Sequence, residues 1–176
     1  TDKRAFVFDL NGTMIDDMEY HIRAWHEILN ELGAGISYEK TKQECYGKNH
    51  ELLERVFPGM FSEDEKTNMS FAKEKKYQQE FRPHLALLEG LGDFMKEAHS
   101  NEIPMGIGSA AIRFNIDFVI DGLKIRQYFS SIVSADDVMF SKPNPETFIK
   151  CADQLGVSPD RCIVFEDTPK GVECAF

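Results

Sequence analysis

The stretch after Pro83 restricts the fold more than any other part of the chain, because it alternates. Three short apolar runs, "IPMGIGSA" (103–110), "SSIVSA" (130–135) and "RCIVFED" (161–167), are separated by the amphipathic segments "FNIDFVIDGLKI" and "NPETFIKCADQLG". Runs of that length, bounded by small and polar residues, read as buried strands, and the longer segments between them as helices. "LLEGLGDFMKEAHSNEI" (87–103) predicts a helix ahead of the first run, and "PKGVECAF" the start of one after the last. Strands joined through helices lie parallel with right-handed crossovers, since each helix returns the chain to the same end of the sheet. "RAFVFD" (4–9) adds one more apolar run, read as a strand buried on both faces.

Between that first strand and Pro83 the pattern differs. In "DDMEYHIRAWHEILNELGAG", Met18, Ile22, Trp25, Leu29 and Leu32 recur at steps of four and three, forming one helical stripe closed by Gly33 and Gly35. Residues 37–82 are charged and helical in character, interrupted at "GKN" (47–49) and "FPGMFS" (57–62). The expected fold class is α/β: a Rossmann-like parallel-sheet core from residues 1–16 and 83–176, with an inserted all-helical cap domain at 17–82. The chain stops at Phe176, inside the helix expected after the last strand, so a continuation or a fragment is anticipated.

Composition sets the partners that such a fold can take. A net charge of −10, spread along 176 residues, disfavours nucleic acid and anionic membrane surfaces as partners. No stretch approaches ~18 apolar residues, so no membrane span is expected. Cys45, Cys151, Cys162 and Cys174 show neither a C-x-x-C pair nor zinc spacing, and read as free thilos of a cytoplasmic protein. A monomer acting on a small molecule is the expectation.

Each predicted strand ends in polar chemistry: Asp9, Ser109, Asp136 and Asp137, and Glu166 with Asp167. The carboxyl ends of parallel strands line the ligand crevice of open α/β sheets. Asp9 is a carboxylate at a strand tip, suited to in-line attack on phosphorus. Adjacent acids at Glu166 and Asp167 repel each other unless a cation relieves them. Asn11-Gly12 is also a hairpin signal, but no complementary strand follows it.

The motifs "FVFDLNGT", "GIGSA", "SKPNPETF" and "VFEDTPKG" resemble, in order, the four motifs of the haloacid dehalogenase superfamily. "DDMEYHIRAWHEILNELG" and "SKPNPETF" are similar to its beta-phosphoglucomutase branch, which holds mutases and small-molecule phosphatases. The resemblance implies that Asp9 is the nucleophile, forming an aspartyl phosphate. It implies that Ser109 and Ala110 bind phosphate with Gly12 and Thr13, and that Lys142 stabilises the transferring oxygens. It implies Mg²⁺ as cofactor, held by Asp9, Glu166, Asp167 and the backbone carbonyl of Asn11. In the cap it points to His21, His50 and Lys75 as substrate-binding residues.

Two positions depart from the family pattern. The family has Asp where this chain has Asn11; an amide neither gives nor takes the leaving-group proton, so general acid–base help of ~10²–10⁴-fold should be largely missing. With the other motif positions intact, Asn11 reads as an engineered substitution, a natural non-catalytic protein being the rival. The mutases also carry a cap arginine where "YGKNHELLER" places His50. Lys48 nearby is a point charge that does not reproduce bidentate phosphate binding. The expected function is therefore a Mg²⁺-dependent phosphatase of a small phosphorylated metabolite. A sugar-phosphate isomerase and a non-catalytic phosphate-ligand binder are the alternatives.

Overall fold

A computed structural model describes residues 4–175; residues 1–3 and 176, at the ends of the expected core segments, lie outside the described residues. Four strands form one sheet: β1 (Ala5–Phe8), β2 (Met105–Gly108), β3 (Ser131–Val133) and β4 (Cys162–Phe165). All neighbours are parallel, in the order β3-β2-β1-β4. Each strand is shorter than its apolar run, although the Asp9 and Ser109 N–H groups just past β1 and β2 still donate to Phe165 O and Val133 O. Eight α-helices are present among the described residues, and the fold is Rossmann-like α/β with a helical cap.

The chain divides into two compact units. The first runs to Asp16 and resumes at Leu85; it holds the sheet together with α5 (Leu91–Ser100), α6 (Arg113–Gly122), α7 (Glu146–Leu155) and α8 (Pro169–Cys174). Helix α5 starts four residues later than its sequence pattern suggests, because Gly90 takes a left-handed conformation just before it. The "GIG" of β2 has a steric purpose. A Cβ at Gly106 would meet Cys151 Sγ at 2.4 Å, and one at Gly108 the Phe148 ring at 2.8 Å, so these glycines let α7 lie close on the sheet. Val7, Val133, Phe148 and Cys151 close the core there, and Phe8 stacks on Phe165 across the β1–β4 pair at 4.7 Å.

The second unit, Asp17–His84, contains α1 (Met18–Glu31), α2 (Tyr38–Glu44), α3 (Asn49–Val56) and α4 (Glu63–Phe81). Ser62 and Glu65 form a capping box that fixes the start of α4. Trp25, Leu29, Leu52, Leu53 and Phe57 make its apolar centre. The inward stripe of α4 is unusual: Lys66, Ser70, Lys73, Tyr77 and Phe81 recur at helical spacing, and the first three are polar yet buried. No helix among the described residues is long and apolar enough to cross a membrane.

Candidate active site

Strand β1 lies in the middle of the sheet, where the chain order reverses: β2 flanks it on one side and β4 on the other. Register places Phe8 opposite both Ile107 and Phe165. Asp9 and Glu166, just past their strands, therefore lie level with Gly108 at the end of β2, and the Asp9 N–H still donates to Phe165 O at 2.9 Å. The loop after β1 is tight. Gly12 has φ 81°, a left-handed conformation that favours glycine. The Gly12 N–H donates to Ile15 O (3.0 Å), and the Met14 N–H to Leu10 O (2.9 Å). The Asn-Gly signal thus yields one isolated bridge, Asn11 to Ile15, and no hairpin.

Lys142 is the hub. Its ammonium donates to Asp9 Oδ1 at 2.7 Å, Glu166 Oε1 at 2.5 Å and Gly108 O at 3.2 Å, and lies 4.5 Å from the centre of the Phe148 ring. Thr13 Oγ1 sits 3.3 Å from Asp9 Oδ2 and 3.1 Å from Asp167 Oδ1, so its single proton links the loop after β1 to the loop after β4. Glu166 Oε2 accepts from the Asp167 N–H, the Thr168 N–H and the Thr168 hydroxyl, at 3.0, 3.1 and 3.1 Å.

The electrostatics follow from burial and crowding. Asp9, Glu166 and Asp167 each bring a carboxylate oxygen within 4.8 Å of the others, and one ammonium faces all three. Burial, reinforced by the charges of Glu166 and Asp167, pushes Asp9 up to about 6 despite the pull of Lys142. Asp167 is raised, by burial first and then by Glu166. Burial works against the Lys142 ammonium, but Asp9 and Glu166 outweigh it and its pKa is raised. The donor set fits a hard divalent cation: carboxylate oxygens, close together, with more negative charge than the lysine neutralises. Glu166 fits least well as a direct ligand, because its oxygens already serve four donors.

Ser109 is buried at the end of β2, with its N–H on Val133 O (2.9 Å). Its hydroxyl accepts from the Ala111 N–H at 3.1 Å. It does not open a helix, as its sequence context suggests: α6 begins only at Arg113, with Ile112 at its cap position. Ala110 lies in the partly exposed turn between them. The acids after β3 do other work. Asp136 accepts from the Arg113 N–H at 2.8 Å, and Asp137 binds Ser134 and the Arg113 guanidinium. Both are structural, and the strand-end rule fails at β3 because the turn there is needed to seat α6.

The cap candidates belong to the second unit and are held by separate partners within it. His21 is 8 % exposed and stacks on Tyr77 at 3.8 Å between ring centres. Its Nε2 lies 3.0 Å from Asp17 Oδ2 and its Nδ1 2.6 Å from Lys73 Nζ. With the ammonium as donor, Nδ1 accepts and Nε2–H donates to Asp17. Lys73 also reaches Glu74 Oε1 at 3.0 Å, and the Tyr77 hydroxyl donates to Asp17 at 2.6 Å. Lys75 lies on the exposed side of α4; the lysine joined to His21 is Lys73, two residues earlier. His50 bonds Glu63 (2.9 Å) and Thr67 (3.2 Å) on α4. Sequence reasoning passed over Asp17, Lys73, Glu74 and Tyr77. The i,i+4 spacing of Asp17 with His21 and of Lys73 with Tyr77 was the available signal.

Fold and strand-end chemistry together define a hydrolase of the haloacid dehalogenase type, and the chain belongs to the haloacid dehalogenase-like hydrolase family, whose profile matches residues 6–176. An uncharacterised protein of Haemophilus influenzae is 33% identical over 176 residues, covering 98% of this chain and 86% of its own. A fructose-1-phosphate phosphatase of Escherichia coli is 29% identical over 176 residues, covering 97% and 90%. Among solved structures, a beta-phosphoglucomutase from Clostridium difficile is similar, with a TM-score of 0.86 and 29% identity over 98% of this chain and 80% of that one.

Proposed function

We propose that the chain is a phosphatase of a small phosphorylated metabolite, with a sugar phosphate as the substrate class, working through phosphoryl transfer to Asp9. The observation that carries this reading is the Lys142 ammonium bridging Asp9 and Glu166, 9 % exposed and backed by the sheet. It holds the carboxylate in one orientation and places a positive charge where the phosphoryl oxygens would gather charge. Asp9 attacks phosphorus, the P–O bond to the metabolite breaks, and the alkoxide leaves. Water then attacks phosphorus and the P–O bond to Asp9 breaks, returning the carboxylate and releasing phosphate. Ser109 and the backbone around Ala110 are suited to hold the phosphate.

Asp9, Asp167 and the main-chain carbonyl of Asn11 would hold Mg²⁺. When bound, the cation supplies positive charge that relieves the three crowded carboxylates and polarises the phosphoryl oxygens. Asn11 keeps its carbonyl for that purpose but cannot pass a proton to the leaving alkoxide, so turnover is slow. His50, where the mutases have an arginine, bonds Glu63 and Thr67. That favours hydrolysis over the two-phosphate grip an isomerase needs.

The test is Asn11→Asp, assayed for phosphate release with Mg²⁺ on sugar phosphates that include fructose 1-phosphate. A gain of ~10²–10⁴-fold is expected, roughly 3–5 kcal/mol of barrier. Background rates across the panel would refute the proposal and leave the binder reading. Glucose 6-phosphate formed from beta-glucose 1-phosphate, without phosphate release, would establish the isomerase instead.

A further inference from the structure

We propose that Gly171 is a positioning residue for the Asp9–Lys142 pair and that it acts through Glu166. The inference rests on the phosphoryl-transfer reading above and adds a residue to it. Gly171 lies in the first turn of α8, where glycine is a poorer helix former than alanine. Its presence therefore asks for a cause, and the space around it supplies one. A Cβ on Gly171 would sit 1.9 Å from Glu166 Cδ and 2.1 and 2.2 Å from its two carboxylate oxygens. The missing side chain is the room that the Glu166 carboxylate occupies.

That carboxylate is held through both of its oxygens. A carboxylate offers about four lone-pair sites, and Glu166 meets four donors: Lys142 on Oε1, and the Asp167 N–H, Thr168 N–H and Thr168 hydroxyl on Oε2. The Gly171 N–H donates to Thr168 Oγ1 at 3.1 Å, which leaves the hydroxyl proton to point at Glu166. A directed chain follows: Gly171 N–H to Thr168, Thr168 to Glu166, and the Lys142 ammonium shared between Glu166 and Asp9. Glu166 is the flexible member, so an alanine at 171 displaces the carboxylate and leaves the backbone in place. Lys142 then keeps Asp9 but loses its second anchor, and its ammonium is no longer fixed over the nucleophile.

The experiment is a double-mutant cycle of Gly171→Ala and Glu166→Ala, built in both the unchanged chain and the Asn11→Asp variant. Glu166→Ala removes the atoms that a Cβ at 171 would strike. In the unchanged chain, Gly171→Ala should lower Tm, whereas in the Glu166→Ala background it should raise Tm through its helix propensity. In the Asn11→Asp variant, Gly171→Ala should lower kcat at least tenfold with little change in KM, and by less than twofold once Glu166 is alanine. Additive effects in Tm overturn the proposal, and so does a tenfold loss of kcat that persists without Glu166. The Tm cycle needs no turnover, so an inactive Asn11→Asp variant would defeat the proposed function while the Gly171–Glu166 coupling is still decided.

Discussion

Replacing Lys142 with methionine tests the charge arrangement directly. Methionine keeps most of the stem but removes the ammonium that lies over Phe148 and is the only cation bonded to Asp9 and Glu166 in the described residues. Removing one partner from a buried pair generally costs about 3–5 kcal/mol. The structure indicates the lower end. The rise of Asp9 from 3.8 to about 6 already corresponds to roughly 3 kcal/mol of strain on its charged form. Without Lys142, Asp9 is driven to bind a proton, and at pH 7 that limits its penalty to roughly 4 kcal/mol. Asp9 thus contributes about 1 kcal/mol of the loss, and the charged hydrogen bond to Glu166 about 1.5–3 kcal/mol. A total near 3 kcal/mol lowers Tm by roughly 6–12 °C for a chain of this size. The sign with pH is fixed: a carboxylate whose folded pKa is raised is protonated in both proteins well below about 6. The Asp9 share of the deficit therefore vanishes as pH falls from 7.5 to 5. Thermal melts of chelator-treated protein across that range are the assay. A deficit under about 2 °C at pH 7.5, or one that widens on acidification, would refute the reasoning.

Two further outcomes are expected. Mg²⁺ at a hundred times its Kd should stabilise the protein by about 2.7 kcal/mol in urea unfolding; Asp167→Asn should abolish most of that gain, and Glu166→Gln should retain more of it. In the second unit, burial alone would raise Glu74, but the charge of Lys73 and the Asn49 hydrogen bond help to lower it below 4.5. Its contribution is complete above 4.5 and is lost as pH falls through the lowered folded value. Glu74→Gln should therefore be less stable by about 3 kcal/mol at pH 7, with the gap to the parent closing in urea titrations below pH 4.5.

The sheet and the approach of Asp9 to the Glu166–Asp167 pair were legible because they are consequences of chain direction, whereas Lys142, well past the end of β3, was legible only through the family motif "SKPNPETF". A parallel strand must deliver its last residues to one edge, whatever the packing above it. Asp136 and Asp137 obey the same rule of position, yet are spent on seating α6, which no residue count reveals. The second unit was least legible. Periodicity identifies the inward face of a helix when that face is apolar, and the inward face of α4 carries Lys66, Ser70 and Lys73. Lys73, bonded to His21, is the kind of residue such a face conceals. Gly171 was invisible for another reason: its meaning lies in an atom it lacks, and only the position of Glu166 gives that absence a content.

The central place of β1 has a consequence for biosynthesis. Its two neighbours, β2 and β4, are translated later, and Ala5 meets Cys162 only when nearly the whole described chain has emerged. For most of that interval the growing polypeptide carries a hydrophobic ribbon with open edges, a template for unwanted pairing. The intervening helices make mostly short-range contacts and form quickly. Asp9 and Lys142 are separated by 133 positions, so a chain stalled before Lys142 cannot form their ion pair.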